Sequence, residues 1–438
     1  WGSLCARLEI PQPAGGTATT LEEAMQVVER IGFPALVRPS YVLGGRAMEI
    51  VYGNEDLERA WAAIAAEGSL GREGGLSATR PVLIDRFLED ATEVDVDAIR
   101  DSTGEVLIGG VMEHVEEAGV HSGDSACVTP PVGLSDATVA VLEDYTRRIA
   151  RELDVCGLIN VQFAVKKQQL EGPEPDGATG QVFVIEANPR ASRTVPFIAK
   201  ATGVPLAKVA ARVMCGATLA DLRSEGVLEP PIRDGHVAVK EAVLPWNRFP
   251  DVDALLGPEM RSTGEVMGID STMAMAFLKS QLAAGDDLPR EGTVFFSLAD
   301  RDKATGALAA QVLVDLGFRI VATSGTARFL GAEGIEVDQV VAKVTPGAGG
   351  DDGADGVELI SSGAVQMVVN SPRGRGPRAD GAHLRRAAGS AGVPLLTTAS
   401  AALAAARGLV EATKGEMSVR SLQDWHARAR GPLGADRS

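Results

Sequence analysis

The chain has 438 residues, 45% of them hydrophobic and 23% charged, which is ordinary for a globular protein of roughly two to four domains. Its net charge of −17 argues against sequence-independent nucleic-acid binding, because such binding depends on Lys and Arg neutralising phosphates. No apolar run approaches the ~20 residues that a membrane span needs, and no signal peptide stands out. We therefore expect a cytoplasmic protein with no nucleic-acid and no membrane partner.

The four cysteines are scattered along the chain, with no CxxC pair and no His nearby at metal-ligand spacing. We expect them to be reduced core residues of a cytosolic protein. They are Cys5, Cys127, Cys156 and Cys215.

The first elements in the chain predict a small sheet with a glycine-rich hairpin. Thr20 begins a helix with a capping box, in which Glu23 reaches back to the helix start. FPALVRPS and RAMEIVY predict strands, and the loop between them carries paired glycines flanked by Arg38 and Arg46. Such a hairpin lets backbone amides approach phosphate oxygens closely, although a plain hairpin turn explains the pattern equally well.

The next strands, PVLIDRFL and EVDVDAI, bring acidic side chains into the sheet. In the second strand Val94 and Val96 point to one face, while Glu93, Asp95 and Asp97 point to the other. This row of acids is either a solvated face or a site that binds a ribose hydroxyl or a cation.

A turn-rich segment, AGVHSGDSACVTPP, follows the strand VLIGGVMEHV. A lone His is usually structural, but His121 lies beside Ser122 in a loop that is too polar for a core. Ser135 then caps a helix that leads into the central strands.

The central strands are GLINVQFAV and VFVIEAN, both short, rich in β-branched residues and bounded by turn signals. Because side chains alternate along a strand, Asn160 and Gln162 share one face, and Glu186 and Asn188 share one face. If the two strands pair antiparallel, one carboxylate and three amides converge on a small patch.

Oxygen ligands of this kind suit Mg²⁺, which usually takes one or two protein ligands and completes its shell with substrate phosphates. Arg190 and Arg193 follow directly, as an anionic transferring group would require. The alternative is a polar sheet edge with solvated acids.

Beyond GDDLPREG at 285–292, which is the best linker candidate, strands alternate regularly with helices. This alternation predicts a doubly wound parallel sheet with a ligand crevice at its carboxyl edge. Polar residues at the ends of these strands predict a site for a small phosphate-bearing ligand beside helix amino termini. They are Ser297, Thr323, Ser324, Thr326 and Asn370.

Six linked motifs resemble one family. RPSYVLGGRAMEIVY, DATEVDVDAI, EEAGVHSGDSA, GLINVQFAV, IEANPRASRTVPF and GPEMRSTGEVMG closely resemble the second, carboxy-terminal synthetase half of the carbamoyl-phosphate synthetase large subunit, in the same order and spacing, from about residue 8 to 280. The remainder resembles, more weakly, the family's regulatory domain, which has a methylglyoxal-synthase-like fold.

The resemblance implies an α+β ATP-grasp fold, in which two subdomains hold ATP between them, followed by an α/β domain with a doubly wound parallel sheet. The family's first synthetase half has no counterpart in the sequence, so we expect a fragment of a considerably longer chain. The implied divisions are a lid subdomain at 1–90, a catalytic subdomain with its following helices at 91–284, a linker at 285–291, an allosteric domain at 292–430 and a tail at 431–438.

The implied activity is the phosphorylation of carbamate by ATP, which gives carbamoyl phosphate for pyrimidine and arginine biosynthesis. ATP and Mg²⁺ or Mn²⁺ are the implied cofactors, and K⁺ is a further candidate cation. The implied partners are a small glutaminase subunit that supplies ammonia, the missing amino-terminal synthetase half and a nucleotide effector, within an oligomeric full enzyme. The alternatives are a catalytically incomplete nucleotide-binding or regulatory fragment, a biotin-carboxylase-type enzyme and a methylglyoxal-synthase-like lyase.

The family's site residues carry over position by position. The nucleotide contacts are Arg38, Arg86, Leu88, Glu93, Gly119, Val120, His121, Ser122, Gln162 and Glu186. The metal ligands are Gln162, Glu186 and Asn188, and the catalytic residues are Arg190, Glu186 and Asn188. The effector contacts are Ser297, Lys303, Thr323, Thr326, Lys343 and Asn370. Because Pro372 and Ser324 depart from the family's pattern, the identity of the effector stays open.

Overall fold

The computed structural model describes residues 1–40, 44–70, 80–166, 180–249, 252–341, 355–371, 377–415 and 417–430. The chain forms two units. The first unit comprises Trp1–His236, Gly257–Met260 and Arg420–Ser438. The second comprises Val237–Leu256 and Arg261–Val419. The chain therefore passes from the first unit into the second, returns to the first for the four residues 257–260, passes through the second again, and ends in the first.

The first unit begins with a short helix and a small antiparallel sheet. The strands follow the order β1-β4-β2-β3, and their inner faces pack on two helices through residues such as Val37, Leu57 and Ile84. The elements are α1 (Gly2–Arg7), β1 (Gly15–Ala18), α2 (Leu21–Ile31), β2 (Ala35–Pro39), β3 (Glu49–Val51), α3 (Asn54–Leu70) and β4 (Val82–Arg86).

The predicted start of α2 is confirmed. The Thr20 hydroxyl accepts a hydrogen bond from the Glu23 backbone amide at 3.2 Å. The Glu23 carboxylate reaches back to the backbone amide of Thr19 at 2.7 Å. Both bonds satisfy amides that have no partner inside the helix, and they fix where the helix begins.

A second sheet in this unit carries the predicted acids and amides. Its strands follow one another in the order β7-β6-β5-β8-β9, with Phe163, Val161 and Leu142 among the core residues. The elements are β5 (Ala91–Arg100), β6 (Val106–His114), β7 (Cys127–Thr129), α4 (Asp136–Glu152), β8 (Gly157–Lys166), β9 (Gln181–Asn188), α5 (Val195–Thr202), α6 (Leu206–Met214) and α7 (Leu219–Ser224).

The second unit begins with an antiparallel pair of strands on a helix, and a parallel sheet follows. The parallel strands have the order β14-β13-β12-β15-β16, which confirms the predicted parallel sheet. The elements are β10 (Val237–Val243), β11 (Gly264–Asp270), α8 (Met273–Ala284), β12 (Thr293–Leu298), α9 (Lys303–Asp315), β13 (Arg319–Thr323), α10 (Ser324–Ala332), β14 (Gln339–Val341), α11 (Gly356–Ser361), β15 (Met367–Ser371), α12 (Pro377–Ala391), β16 (Leu395–Leu396) and α13 (Ala399–Thr413).

The last helix, α14 (Leu422–Arg430), belongs to the first unit, where its Trp425 is buried. The division into units places β10, β11 and α8 with the parallel sheet, so it does not follow the predicted boundary at 284–285. The domain bounds inferred from the resemblance stay predictions, and the tail at 431–438 lies outside the described residues.

The prediction that all four cysteines are core residues is wrong for two of them. Cys5 and Cys127 are buried, but Cys156 and Cys215 are exposed. Cys215 directly follows the end of α6, and Cys156 directly precedes β8, so both lie in connections between elements. All four are free thiols, as expected.

Candidate nucleotide and metal site

Antiparallel pairing of β8 with β9 brings the predicted polar side chains together. Gln162 lies opposite Glu186, and Asn160 lies opposite Asn188. The Asn188 amide nitrogen donates to Glu186 Oε1 at 2.7 Å. The predicted antiparallel arrangement is confirmed, and so is the convergence that depends on it.

The donor set on these two strands fits a cation that also binds phosphates. Gln162 Nε2 donates to Ser122 Oγ at 2.8 Å, and Asn188 Nδ2 donates to Glu186, so the nitrogens of both amides are engaged and their carbonyl oxygens are the candidate ligands. No group of three or more His, Cys, Asp or Glu side chains suited to a metal occurs in the described part of the chain. One carboxylate with two amide oxygens is an incomplete shell for Mg²⁺, which phosphate oxygens can complete.

Glu93 on β5 lies close to this set and has an unusual pKa. Its Oε1 accepts a hydrogen bond from the backbone amide of Gly119 at 2.8 Å, and its Oε2 lies 3.7 Å from His114 Nδ1. Burial raises the pKa of Glu93 to about 7, and the charges of Asp95 and Glu186 act in the same direction. His114 and the Gly119 amide lower it, but by less.

The loop after β6 is held at both ends by predicted site residues. Gly119 has a φ of +92° and lies against the Phe87 ring, where an added Cβ would come within 2.8 Å of a ring carbon. Ser122 accepts the hydrogen bond from Gln162. Between them, the Val120 amide donates to the Glu117 carbonyl at 3.2 Å. Only glycine fits the start of this loop without strain.

His121 in the same loop accepts a hydrogen bond through its ring. Its Nδ1 accepts a hydrogen bond from the Gly123 amide at 3.0 Å. Burial lowers the pKa of His121, and Arg193 adds to the effect, although Asp124, Glu186 and Asp95 oppose it. We therefore expect an uncharged imidazole at neutral pH.

The glycine hairpin contacts a segment that sequence reasoning did not assign to the site. The Met260 amide donates to the Gly44 carbonyl at 3.0 Å, and an added Cβ on Gly45 would come within 1.8 Å of the Pro258 carbonyl oxygen. The His121 amide donates to the Gly257 carbonyl at 2.9 Å. The four residues 257–260 thus join the hairpin to the loop at 119–122. Tyr41–Leu43, in the predicted hairpin, lie outside the described residues.

The other predicted nucleotide contacts lie on β2, β4 and the connection that follows. Arg38 Nη2 forms an ion pair with Asp85 Oδ2 at 2.8 Å, and burial raises the pKa of Asp85. Arg86 donates to the carbonyl of Phe33. Leu88 is half-buried in the connection from β4 to β5. The ligand roles of Arg38, Arg86 and Leu88 stay predictions.

A buried charge pair lies beneath the site, and of its two members Asp95 was named in the predicted row of acids whereas His114 was not predicted. Asp95 is fully buried, and its Oδ2 lies 2.9 Å from Nε2 of the buried His114. Burial opposes charge on both groups. The hydrogen bond from His114 nevertheless lowers the pKa of Asp95. Conversely, Cys127 and Asp95 hold the pKa of His114 well above its usual value. The alternative of a solvated acidic face is wrong, because Asp97 is fully buried as well.

Arg190 and Arg193 lie in the loop between β9 and α5. Arg190 is exposed, and its Nη1 donates to the Ala191 carbonyl at 3.0 Å. Arg193 is half-buried, and its Nη1 lies 3.1 Å from the Met260 sulfur atom. Both arginines thus lie in the loop that directly follows Glu186 and Asn188 at the end of β9.

The second unit has a separate polar cluster at the carboxyl ends of β12, β13 and β15. The Thr326 hydroxyl accepts from the Leu298 amide at 3.0 Å and from the Thr323 hydroxyl at 3.2 Å. Asn370 Nδ2 donates to the Ser297 carbonyl at 3.2 Å. Lys303 Nζ pairs with Asp300 at 2.6 Å. The same Nζ lies close to Gly325, because a Cβ added there would be 3.8 Å from it.

Five of the six predicted effector residues therefore lie on neighbouring elements of the second unit, and Lys343 lies outside the described residues. The fully buried Arg385 was not predicted here. Its Nη1 donates to Asn370 Oδ1 at 2.6 Å, and its other nitrogens pair with Asp253 at 2.6 Å. An arginine inside a helix gives no sequence signal that separates such a pair from an exposed one.

Comparison with known proteins identifies the family. The carbamoyl-phosphate synthase L chain, ATP binding domain, matches residues 3–222, which is half of the chain, and the MGS-like domain matches residues 307–397. The chain belongs to the carbamoyl-phosphate synthase large-chain family. Its first unit has the ATP-grasp fold, and its second unit contains the MGS-like domain, whose matched residues include four strands of the five-stranded parallel sheet, with β12 just before them.

The carbamoyl phosphate synthase large chain of Mycobacterium tuberculosis (strain CDC 1551 / Oshkosh) is 49% identical over 438 residues, which cover 97% of this chain and 37% of that protein. The large chain of Archaeoglobus fulgidus is 50% identical over 427 residues, with the same two coverages. The ADP complex of N5-carboxyaminoimidazole ribonucleotide synthetase is similar with a TM-score of 0.47 and 14% identity, over 65% of this chain and 70% of that one.

This member of the carbamoyl-phosphate synthase family spans little more than a third of the length of the curated relatives that it matches. Among the helices that the structure describes, none is both long enough and apolar enough to cross a membrane.

Proposed function

We propose that the first unit transfers the γ-phosphoryl group of ATP to carbamate and so forms carbamoyl phosphate and ADP. A carbamate oxygen attacks the γ-phosphorus, the bond from that phosphorus to the β,γ-bridging oxygen breaks, and ADP leaves with the electron pair. Carbamate is its own nucleophile, so the site needs positioning and charge neutralisation rather than a nucleophilic side chain.

The observation that carries this proposal is the cross-strand patch of Gln162, Glu186 and Asn188, which two arginines follow. When bound there, Mg²⁺ would neutralise the phosphate oxygens as charge develops on them. Arg190 and Arg193 would hold the transferring group, because guanidinium groups match phosphate oxygens in geometry and charge.

The remaining contacts supply nucleotide binding and shielding. Glu93 would accept hydrogen bonds from the ribose hydroxyls, and the loop at 119–122 would lie beside the nucleotide. The paired glycines at 44–45 bring backbone close to the site, and a closed hairpin would exclude water from a substrate that water decomposes. Arg38, Arg86 and Leu88 are proposed contacts on the lid side.

We propose that the polar cluster of the second unit binds a phosphate-bearing nucleotide that regulates the first. Hydroxyl, amide and ammonium groups at the carboxyl ends of parallel strands suit a phosphate, as do the amino termini of the helices that follow. In a full-length enzyme of this family, another synthetase half would make carbamate, and a glutaminase subunit would supply the ammonia. The product would serve pyrimidine and arginine synthesis.

A second candidate is a nucleotide-binding fragment without catalysis. The two candidates differ in whether the first unit turns over by itself.

The test is the formation of ATP from carbamoyl phosphate and Mg²⁺·ADP, which is the reverse of the proposed step. We expect ATP formation by the parent chain and a loss of at least about 100-fold in Glu186→Gln, because the carboxylate holds the cation that neutralises the phosphates. Glu152→Gln, in an exposed pair with Arg7, is the matched control and should be unchanged. Nucleotide binding without ATP formation by the parent would favour the second candidate.

A further inference from the structure

The loop that carries both arginines is anchored to the sheet by a carboxylate that has no assigned role. Asp97 on β5 is fully buried, and three side chains donate hydrogen bonds to it. Ser192 Oγ donates to Oδ1 at 3.0 Å, Asn160 Nδ2 donates to Oδ1 at 2.9 Å, and Thr194 Oγ1 donates to Oδ2 at 2.6 Å. Two of these three donors come from the arginine loop itself.

The contact with Thr194 replaces a common local hydrogen bond. Thr194 is the N-cap residue of α5, but its hydroxyl makes no bond to the first turn of the helix. Five other hydroxyl residues at helix starts do make that bond: Thr20, Ser135, Thr218, Thr272 and Thr398. A Thr at this position normally satisfies an amide of its own helix. At α5 the hydroxyl is turned to Asp97 instead, so the geometry favours the anchor over the cap.

The anchor fixes the backbone on both sides of Arg193. Ser192 and Thr194 are its immediate neighbours, and the buried Thr194 holds the loop end in place. Arg190 lies two residues before Ser192, in a stretch that is exposed. Without the two hydroxyl contacts, the loop from Pro189 to Arg193 would lose its side-chain link to β5, although Arg193 would keep its contact with the Met260 sulfur atom.

We propose that Asp97 is a positioning residue that aims Arg190 and Arg193 at the terminal phosphate of the nucleotide. This inference rests on the proposed function, since it takes the two arginines as phosphate ligands. Asp97 acts through Ser192 and Thr194 and touches no substrate. It follows that removing the anchor lowers the preference of the site for ATP over ADP more than it lowers nucleotide binding as a whole.

The experiment measures the dissociation constants of Mg²⁺·ADP and of the Mg²⁺ complex of a non-hydrolysable ATP analogue by calorimetry. We expect the parent chain to bind the triphosphate at least about tenfold more tightly, because charge-assisted bonds to guanidinium groups are strong. Thr194→Val keeps the shape of the side chain but removes the hydroxyl, and should reduce the preference to about twofold or less. Thr194→Ser keeps the hydroxyl and should restore it.

Thr202→Val is the matched control, because the Thr202 hydroxyl is buried at the other end of α5 and donates to the Ile198 carbonyl at 2.7 Å. It costs the helix a similar bond, but it should leave the triphosphate preference unchanged. Ser192→Ala removes one donor to Asp97 and should give an intermediate preference, which keeps the inference testable if Thr194→Val does not fold.

An unchanged preference in both Thr194→Val and Ser192→Ala would overturn the inference and leave the proposed function standing. An equal loss in Thr202→Val would overturn it too, because the effect would then come from helix stability alone. A parent chain that binds neither nucleotide would overturn both the inference and the proposed function. The absence of ATP formation alone bears on turnover and not on the anchor.

Discussion

The two candidate phosphate sites of this chain are built from different chemical groups. In the first unit, carboxylates lie on or beneath the site, and two of them, Asp95 and Asp97, are fully buried. In the second unit, the cluster consists of hydroxyls, an amide and the Lys303 ammonium group, with the exposed Asp300 at its rim. Acids around a phosphate are favourable only if a cation lies between them, so we expect the first site to need Mg²⁺ for nucleotide binding and the second to bind a phosphate without a divalent cation.

The two sites also differ in how their charges are satisfied. The His114–Asp95 pair is shielded from water, so losing one partner leaves an uncompensated buried charge. The Lys303–Asp300 pair is mostly in solvent on its acidic side, where such pairs contribute little. The comparison predicts that equivalent substitutions at the two sites have very different costs.

The largest difference is expected for Asp95→Asn against Asp300→Asn. The first should lower the free energy of unfolding by about 3 kcal/mol, because His114 loses its buried counter-charge. The second should change it little. Urea unfolding followed by far-ultraviolet circular dichroism is the measurement, because both units contain helices and strands and the signal therefore reports on both. Equal costs at the two positions would break the comparison.

A smaller effect is expected for the dependence of stability on pH. Because the pKa of Glu93 is raised to about 7 in the folded chain, its contribution to stability is fully present below about pH 4.5 and is lost as the pH rises through about 7. Glu93→Gln cannot ionise, so it should gain about 2 kcal/mol relative to the parent between pH 5 and pH 8. Urea midpoints across this range test the sign, and a variant that runs parallel to the parent would contradict it.

The smallest effect is expected for ligand binding in the second unit. Lys303→Met should weaken the binding of a nucleoside monophosphate by about tenfold, because one charge-assisted contact to the phosphate is lost. Chelation of divalent cations with EDTA should leave that binding unchanged, whereas it should weaken nucleotide binding in the first unit. Calorimetry with and without EDTA measures both, and a loss of binding at both sites would show that they do not differ in their need for a cation.

Much of this arrangement follows from local sequence patterns. Alternation along two short strands suffices to predict that Gln162 and Glu186 share a patch, because the side-chain period of a strand is fixed. Regular strand–helix alternation likewise predicts the parallel sheet and places Ser297, Thr323 and Asn370 at strand ends.

Other parts of the site could not be predicted in this way. Alternation gives the face of Asp95 and Asp97 but not whether that face is solvated, since burial depends on the elements that cover it. The contact of Met260 with Gly44 joins segments that are far apart in sequence, and no local pattern encodes it. The hydroxyl of Thr194 would be assigned to a helix cap by any local rule, and only the fold directs it to Asp97.

The central claim is that one carboxylate and two amides hold a cation only together with nucleotide phosphates. The most direct measurement is a titration with Mn²⁺, followed by electron paramagnetic resonance, in the presence and absence of ADP. We predict binding that tightens at least about tenfold when ADP is present, because three protein oxygens alone leave the shell incomplete, and the loss of this gain in Glu186→Gln. Equally tight binding without ADP, or an unaffected Glu186→Gln, would contradict the account.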